Sequence, residues 1–282
     1  MVSSTSQMTP DDLRRYPPRS LQTGTYFSQA LQKEQSFAYY TPESWNGDLS
    51  ETTSRYPLLI MLHGLNSDYL GWHTCTRIAR YASAYGMVVA FPDGGNGWYT
   101  NATDGTADYE DDLINDFLPH LQKTLPLLQE KKNRAIGGMS MGGYGAVKIA
   151  MKHWSLFGTA VSHSGAFEKP QIKDAHPVFG HPTENAQCRR KENPFALAEL
   201  GMCRWPTERP YLYLDCGEED FLLDTNRRLR DHLHFIAYPH TYTETQGQHT
   251  YPYWDRAFRT ILPRIANRIG AERLPLPQLV KP

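Results

Sequence analysis

Residues 134–145, Arg-Ala-Ile-Gly-Gly-Met-Ser-Met-Gly-Gly-Tyr-Gly, admit few backbone paths. Within them Gly138-Met139-Ser140-Met141-Gly142 is a G-x-S-x-G, with the β-prone run Arg134 to Gly137 before it and helix-compatible sequence, Ala146 to Lys152, after it. In that context the pattern marks a nucleophile elbow: a strand reverses into a helix within a few residues and lifts one side chain out at the tip. Ser140 occupies the tip, on strained backbone. The positions two before and two after it meet where strand joins helix, and a Cβ at either would clash, so Gly138 and Gly142 have none. The helix start turns free N–H groups and its positive dipole end toward the serine. The Met141 N–H is then placed to donate to an oxyanion.

The flanking sequence alternates strands with helices. Residues 24–29 and 35–41 read as an opening antiparallel pair. Residues 56–62 form a continuous apolar run, as in a strand buried on both faces, ending at His63-Gly64-Leu65. A helix over 72–85, a strand over 87–91 and a glycine-rich loop over 92–101 follow. Leu113, Ile114, Phe117, Leu118 and Leu121 fall at helical spacing, with Pro119 predicting a kink or a late start. Strands are expected at 159–163, 211–216 and near 236–243. Leu222, Leu229 and Leu233 mark one helix; Trp254, Phe258, Ile261 and Ile265 mark the last, interrupted at Pro263. Residues 165–210 break the alternation with six prolines and little periodicity, which predicts an inserted cap. The expected organisation is a mobile arm over 1–22, one domain over 23–270 with the cap inside it, and a tail over 271–282. Alternation of this kind predicts an α/β fold, a mostly parallel sheet with helices on both faces. Ligands then bind at the carboxyl ends of the strands.

Charge narrows the function. With 29 basic and 30 acidic residues the net charge is −1, so neither nucleic acid nor a membrane surface is the expected partner. No apolar run has the length of a membrane span, and residues 1–7 show no basic and apolar leader pattern. The four cysteines, Cys75, Cys188, Cys203 and Cys216, have no CxxC spacing. They read as reduced thiols in a cytoplasmic protein, with a Cys188–Cys203 bridge as the alternative. HExxH, GxxxxGK[ST] and GxGxxG are all missing from the sequence, so no metal and no nucleotide cofactor is expected. Oligomeric state is left open, a homo-oligomer included.

A serine hydroxyl needs a base to take its proton, and the base needs a group to fix its tautomer. On this sheet order the acid follows a later strand and the base comes last. Asp220, in Gly217-Glu218-Glu219-Asp220-Phe221, and His249, in Gly247-Gln248-His249, satisfy that order. Asp215, Asp224 and Glu219 compete with Asp220. Asp215 falls within the strand and Asp224 in the helix. His63 comes too early for the base, His163 ends a strand and is assigned to the pocket lining, and His232 and His234 lie on a helix. The second oxyanion donor is expected from the loop after the first central strand, at the Leu65 N–H, with Gly64 allowing close approach.

These residues resemble the esterase D-like branch of the α/β-hydrolases, most of all its tributyrin esterase and feruloyl esterase-like members. The resemblance runs from about residue 24 to 268. It rests on Leu62-His63-Gly64-Leu65, Gly97-Trp98-Tyr99-Thr100, Tyr109-Glu110-Asp111, Phe117-Leu118-Pro119, Gly138 to Gly145, Ser164-Gly165-Ala166, Asn193-Pro194-Phe195-Ala196-Leu197, Cys216 to Leu222, and Gly247-Gln248-His249 through Trp254. It implies an α/β-hydrolase fold, Ser140 as nucleophile, Asp220 as acid, His249 as base, Leu65 and Met141 as oxyanion donors, and Trp98 on the acyl pocket. Tyr99, His163 and Phe167 are added as pocket walls. Tyr251 stands where such relatives often carry Trp, and Pro252 beside it is unusual. The implied activity is a serine carboxylesterase acting on small-molecule esters with short acyl or aryl groups. The alternatives are acyl transfer by the same residues, an S-formylglutathione hydrolase-like thioesterase, and a non-catalytic binding protein.

Overall fold

The computed structural model describes residue 12 and residues 15–275. Its strands, numbered along the chain, are β1 (Gln22–Ser28), β2 (Lys33–Tyr40), β3 (Leu58–Leu62), β4 (Val88–Pro92), β5 (Arg134–Met139), β6 (Thr159–His163), β7 (Tyr211–Gly217) and β8 (His240–Thr245). They form one sheet in the order β1-β2-β4-β3-β5-β6-β7-β8. β2 pairs antiparallel with β1 and β4; every later pairing is parallel. All residues of β3, β4, β5 and β6 are buried, because helices cover both faces, and their sequences are accordingly apolar without alternation. β8, at the edge, has no buried residue. It starts later than its β-prone sequence, after a turn in which Ala237 takes φ +54°.

The helices are α1 (Gly71–Cys75), α2 (Ile78–Ala82), α3 (109–124), α4 (Met141–Lys152), α5 (Ala186–Lys191), α6 (Pro194–Arg204), α7 (Leu223–Phe235) and α8 (Tyr251–Ile269). Where one helix was expected over 72–85 there are two. Thr76 turns extended between them, its hydroxyl accepts the Ile78 N–H at 3.2 Å, and Asp255 takes the Arg77 N–H at 2.7 Å. In α3 a π turn, Asp112–Phe117, precedes the α-helical piece Leu118–Thr124. Pro119 therefore falls where the hydrogen-bond ladder changes spacing. The expected break at Pro263 does not occur. Leu262, Ile265, Ala266 and Ile269 bury the helix on both sides of it, and that packing outweighs the lost hydrogen bond. Pro252 sits in the first turn of α8, where no intrahelical donor is required.

Two expected boundaries move. Part of the N-terminal arm is tied to the body. Tyr16 is buried and donates to the Leu274 carbonyl at 2.6 Å. Arg19 is buried and donates to the carbonyls of Met87 at 2.6 Å and of Tyr85. Residues 1–11, 13 and 14 of the arm and 276–282 of the tail lie outside the described residues. The cap is also shorter than expected. α6 packs on α4 and is the ordinary crossover helix between β6 and β7. Pro194 opens it at N1, and the Asn193 side chain caps it by accepting the Phe195 N–H at 3.0 Å, so this proline starts a helix rather than breaking one. What remains, 164–193, is organised by buried Arg189. Its guanidinium donates to the carbonyls of Phe179, Pro170, Ile172, Asp174 and Gly180.

One ion cluster joins the layers. Lys148 on α4 is fully buried; its Nζ reaches Glu110 on α3 at 2.6 Å, Glu192 at the end of the cap at 3.1 Å, and the Tyr99 carbonyl. Glu110 also holds Lys152 at 2.8 Å and His153 at 2.9 Å. Burial opposes the Glu110 charge, but Lys148, His153 and Lys152 outweigh it and hold the carboxyl well below its usual range. A carboxylate with a depressed native pKa contributes stability that is fully present above its unfolded value of about 4.3 and lost as pH falls toward the native one. Glu110→Gln should therefore destabilise by about 3 kcal/mol at pH 7, measured by denaturant unfolding. The difference from wild type should shrink progressively below about pH 4. A difference that stays constant from pH 7 to pH 2 would remove Glu110 from the acid response.

Candidate active site

Ser140 is the N-cap of α4 with φ +55° and ψ −117°, a conformation that costs about 1–3 kcal/mol for a residue with a side chain. Its surroundings over-determine it. Its N–H donates to the His163 carbonyl at 2.9 Å, and its carbonyl accepts from Tyr144 at 3.0 Å and Ala166 at 3.2 Å. A Cβ on Gly138 would stand 2.4 Å from the Gly142 backbone, and one on Gly142 would stand 2.4 Å from the Leu62 carbonyl oxygen. The close approach expected from the motif is present.

Three side chains from three loops meet at this edge of the sheet. His249 Nε2 is 2.9 Å from Ser140 Oγ. His249 Nδ1 is 3.0 and 2.9 Å from the two Asp220 carboxylate oxygens. With Nδ1–H donating to the carboxylate, Nε2 is left to accept the serine proton. Asp220 is buried, which opposes its charge, but hydrogen bonds from His249, the Leu222 N–H and the Ser164 hydroxyl hold its pKa below the ordinary value. The His249 ring lies between Trp254, edge-on at 4.9 Å, and Phe221 at 4.5 Å. Trp254 Nε1–H in turn donates to Ser164 Oγ at 3.2 Å.

The competing residues have other partners. Asp215 accepts from the His163 ring at 2.7 Å and the Tyr253 hydroxyl at 3.0 Å. Asp224 is exposed in the first turn of α7. Glu219 accepts from the Gln248 side chain, and His232 faces the Phe195 carbonyl. His63, buried, accepts the Gly94 N–H on Nε2 at 2.9 Å and faces the Gly64 carbonyl with Nδ1 at 2.8 Å. It thereby ties the Gly64-Leu65 turn to the loop after β4. A Cβ on Gly64 would lie 3.6 Å from that of Ser140, so this turn passes beside the serine and Leu65 follows it. Met141, the other expected donor, is the first residue of α4. The supporting roles of His63, Ser164 and Lys148 were not legible in the sequence. The Ser164 φ of +52° and the burial of a lysine have no sequence signature.

The residues expected at the pocket are all buried. His163 is fully buried, edge-on to Trp72 and Phe258 and committed to Asp215. Phe167 is buried, its ring where a Cβ of Gly165 would stand. Tyr99 is buried against Gly94 and Gly145, with its hydroxyl on the His63 carbonyl. Trp98 is nearly buried, packed edge-on to Tyr144 and His176 with Phe179 beside them. Each of these rings is packed against other side chains or backbone. Cys188 and Cys203 are free and exposed, Cys75 is free and exposed, and Cys216 is free and buried.

A family model described as Putative esterase matches residues 28–265. The chain belongs to that esterase family. It is similar to the acetyl esterase of Caldicellulosiruptor saccharolyticus, at 25% identity over 70% of this chain and 79% of that one. It spans about half the length of the Mycobacterium tuberculosis esterases that it also matches. Among solved structures, the fluorophosphonate-binding serine hydrolase FphF of Staphylococcus aureus superposes with a TM-score of 0.78 at 27% identity, covering 90% of this chain and 99% of that one. The S-formylglutathione hydrolase FrmB of Staphylococcus aureus superposes with a TM-score of 0.76 at 26% identity, covering 90% and 100%. The esterase is thus an ester-hydrolysing serine hydrolase on the α/β-hydrolase fold. No helix among its described residues is long and apolar enough to cross a membrane.

Asp220→Asn should keep the fold and lower kcat by about 10³–10⁴, because the amide favours the wrong His249 tautomer. Asp224→Asn should leave kcat within about twofold, as expected for a surface change. Steady-state kinetics on one ester decides it; the reverse ranking would reassign the acid.

Proposed function

We propose that Ser140 is the nucleophile, His249 the general base and acid, and Asp220 the group that fixes the His249 tautomer. Ser140 Oγ attacks the ester carbonyl while His249 Nε2 takes its proton. The backbone N–H groups of Leu65 and Met141 hold the oxyanion. His249 returns the proton to the departing alcohol, and a water then repeats the sequence to release the acid. The observation that supports this reading is the unbroken chain from Ser140 Oγ through both His249 nitrogens to Asp220.

The substrate class we infer is a small ester with a short acyl or aryl group. Trp98, Phe179 and Tyr144 of the serine's own helix form a closely packed aromatic cluster, which favours a short acyl chain. Four free thiols suit a reducing compartment, and we assign the enzyme to the cytoplasm. A thioester reading is favoured by the likeness to FrmB, and acyl transfer uses the same residues with an alcohol in place of water.

Fluorophosphonate should add one label, and Ser140→Ala should abolish label and turnover together. A label that persists in Ser140→Ala would place the nucleophile elsewhere. Nitrophenyl esters of increasing acyl length should lose kcat/KM steeply once the chain outgrows the space, at about 1–3 kcal/mol per methylene. Faster turnover of S-formylglutathione than of every oxygen ester would select the thioesterase reading, and diversion of the acyl group to added alcohol would select transfer.

A further inference from the structure

The residue after the proposed acid is a large apolar side chain left in solvent. Phe221 is 77% exposed, yet it is not loosely held. The Asp220 N–H donates to the Gly217 carbonyl at 3.1 Å, the Leu222 N–H to an Asp220 carboxylate oxygen at 2.8 Å, and the Leu223 N–H to the Asp220 carbonyl at 2.9 Å. These bonds lock the turn on both sides of Phe221 and carry its ring to 4.5 Å from that of His249. Of the other exposed phenylalanines, Phe27 is on the edge strand β1, four places from β5 in the sheet, and Phe235 is the last residue of α7. Leu65, next to the Gly64 that passes beside Ser140, is also an exposed apolar residue, at 45%.

Resting on the roles assigned above, the chemistry says which part of an ester Phe221 meets. As the carbon–oxygen bond to the alcohol breaks, the proton that His249 took from Ser140 passes to the alcohol oxygen. The departing oxygen must therefore be within hydrogen-bond reach of His249 Nε2, and its substituent lies on the His249 side. The acyl group, bonded to Ser140 Oγ, stays behind. We propose that Phe221 is the platform for the alcohol half of the ester and selects aryl or other flat apolar alcohols. Its exposed ring gives an aromatic substituent an offset or edge-to-face partner, and covering it removes apolar surface from water. Because the alcohol has gone before water attacks, the contact acts on acylation and not on deacylation.

The test holds the acyl group constant. Wild type, Phe221→Ala, Phe221→Leu and Phe221→Trp are compared on methyl, ethyl, benzyl and phenyl acetate. Each substrate is referred to its own wild-type kcat/KM, so intrinsic leaving-group reactivity cancels. Phe221→Ala should lower the benzyl-to-methyl specificity ratio by about three- to tenfold, the span expected of one aromatic contact. Phe221→Leu should fall between, and Phe221→Trp should restore or exceed the wild-type ratio. The rate of water attack on preformed acetyl-enzyme should match wild type in all three. An equal loss on every acetate, with a shifted pH–rate profile, would make Phe221 a positioning residue for His249 and overturn the proposal. So would a benzyl-to-methyl ratio that Phe221→Ala leaves unchanged. Ser140 labelling in the same variants separates this from the reading beneath it: labelled variants with the wrong ratio pattern refute the platform, whereas loss of dependence on Ser140 refutes the catalytic assignment.

Discussion

The site depends on one close contact, the approach of α4 to the end of β3. Gly142 rests against the carbonyls of Leu62 and His63, and Gly138 rests against Gly142. That contact lets the strand-to-helix reversal be tight enough to hold Ser140 at φ +55°. It also places the neighbouring turn, because the chain that leaves Leu62 becomes the Gly64-Leu65 turn beside the serine. The placing of Ser140 and of the turn are therefore two consequences of one packing event. A side chain of any size at 142 would separate both together.

Strain is not confined to the serine. Trp98 and Tyr99 take φ +56° and +50° in succession, a costly conformation for aromatic residues. The surroundings hold them there: Lys148 donates to the Tyr99 carbonyl, the Thr100 hydroxyl to the Trp98 carbonyl, and the Tyr99 hydroxyl to the His63 carbonyl. Lys148 and Tyr144 both belong to the nucleophile helix. That helix therefore anchors the glycine-rich loop as well as the serine, and through Glu192 it anchors the end of the cap. A buried ion cluster is weak as a source of net stability, but it fixes which segments meet, and here it joins α3, α4, the loop after β4 and the cap.

The sequence was legible where chemistry and backbone geometry leave few choices. Gly138 and Gly142 around Ser140 announced the elbow, and chain order brought Asp220 and His249 to the same edge; the structure has them in hydrogen-bond contact. It was less legible where packing decides. Pro263 reads as a break, yet α8 runs through it on buried neighbours. Pro194 reads as part of an irregular cap and instead starts a helix. Tyr99, Phe167 and His163 stand near strand ends, but that position does not say how deeply a side chain is buried, and all three are buried. Nothing in the sequence around Arg189 announces the backbone carbonyls that it gathers.

The structure also contains a second histidine–carboxylate pair, and the two differ in what surrounds them. His163 and Asp215 are register partners on β6 and β7, 2.7 Å apart, no farther than His249 and Asp220. Asp215 gives its other oxygen to the Tyr253 hydroxyl. The remaining nitrogen of His163, Nε2, is buried without a hydrogen-bond partner, between Trp72 and Phe258. No hydroxyl is there to be activated, and no ester could reach the ring. His249 has the same support on one nitrogen, but its loop precedes α8 and leaves the other nitrogen facing Ser140. The two pairs differ in what the second nitrogen meets, and that is set by position: the buried end of β6 under α8 for one, a loop before α8 for the other. The inner pair still reaches the site through the backbone, since the His163 carbonyl accepts the Ser140 N–H and the Asp215 carbonyl accepts that of Ser164. Its side chains cross-link the strands whose ends hold the outer pair in place.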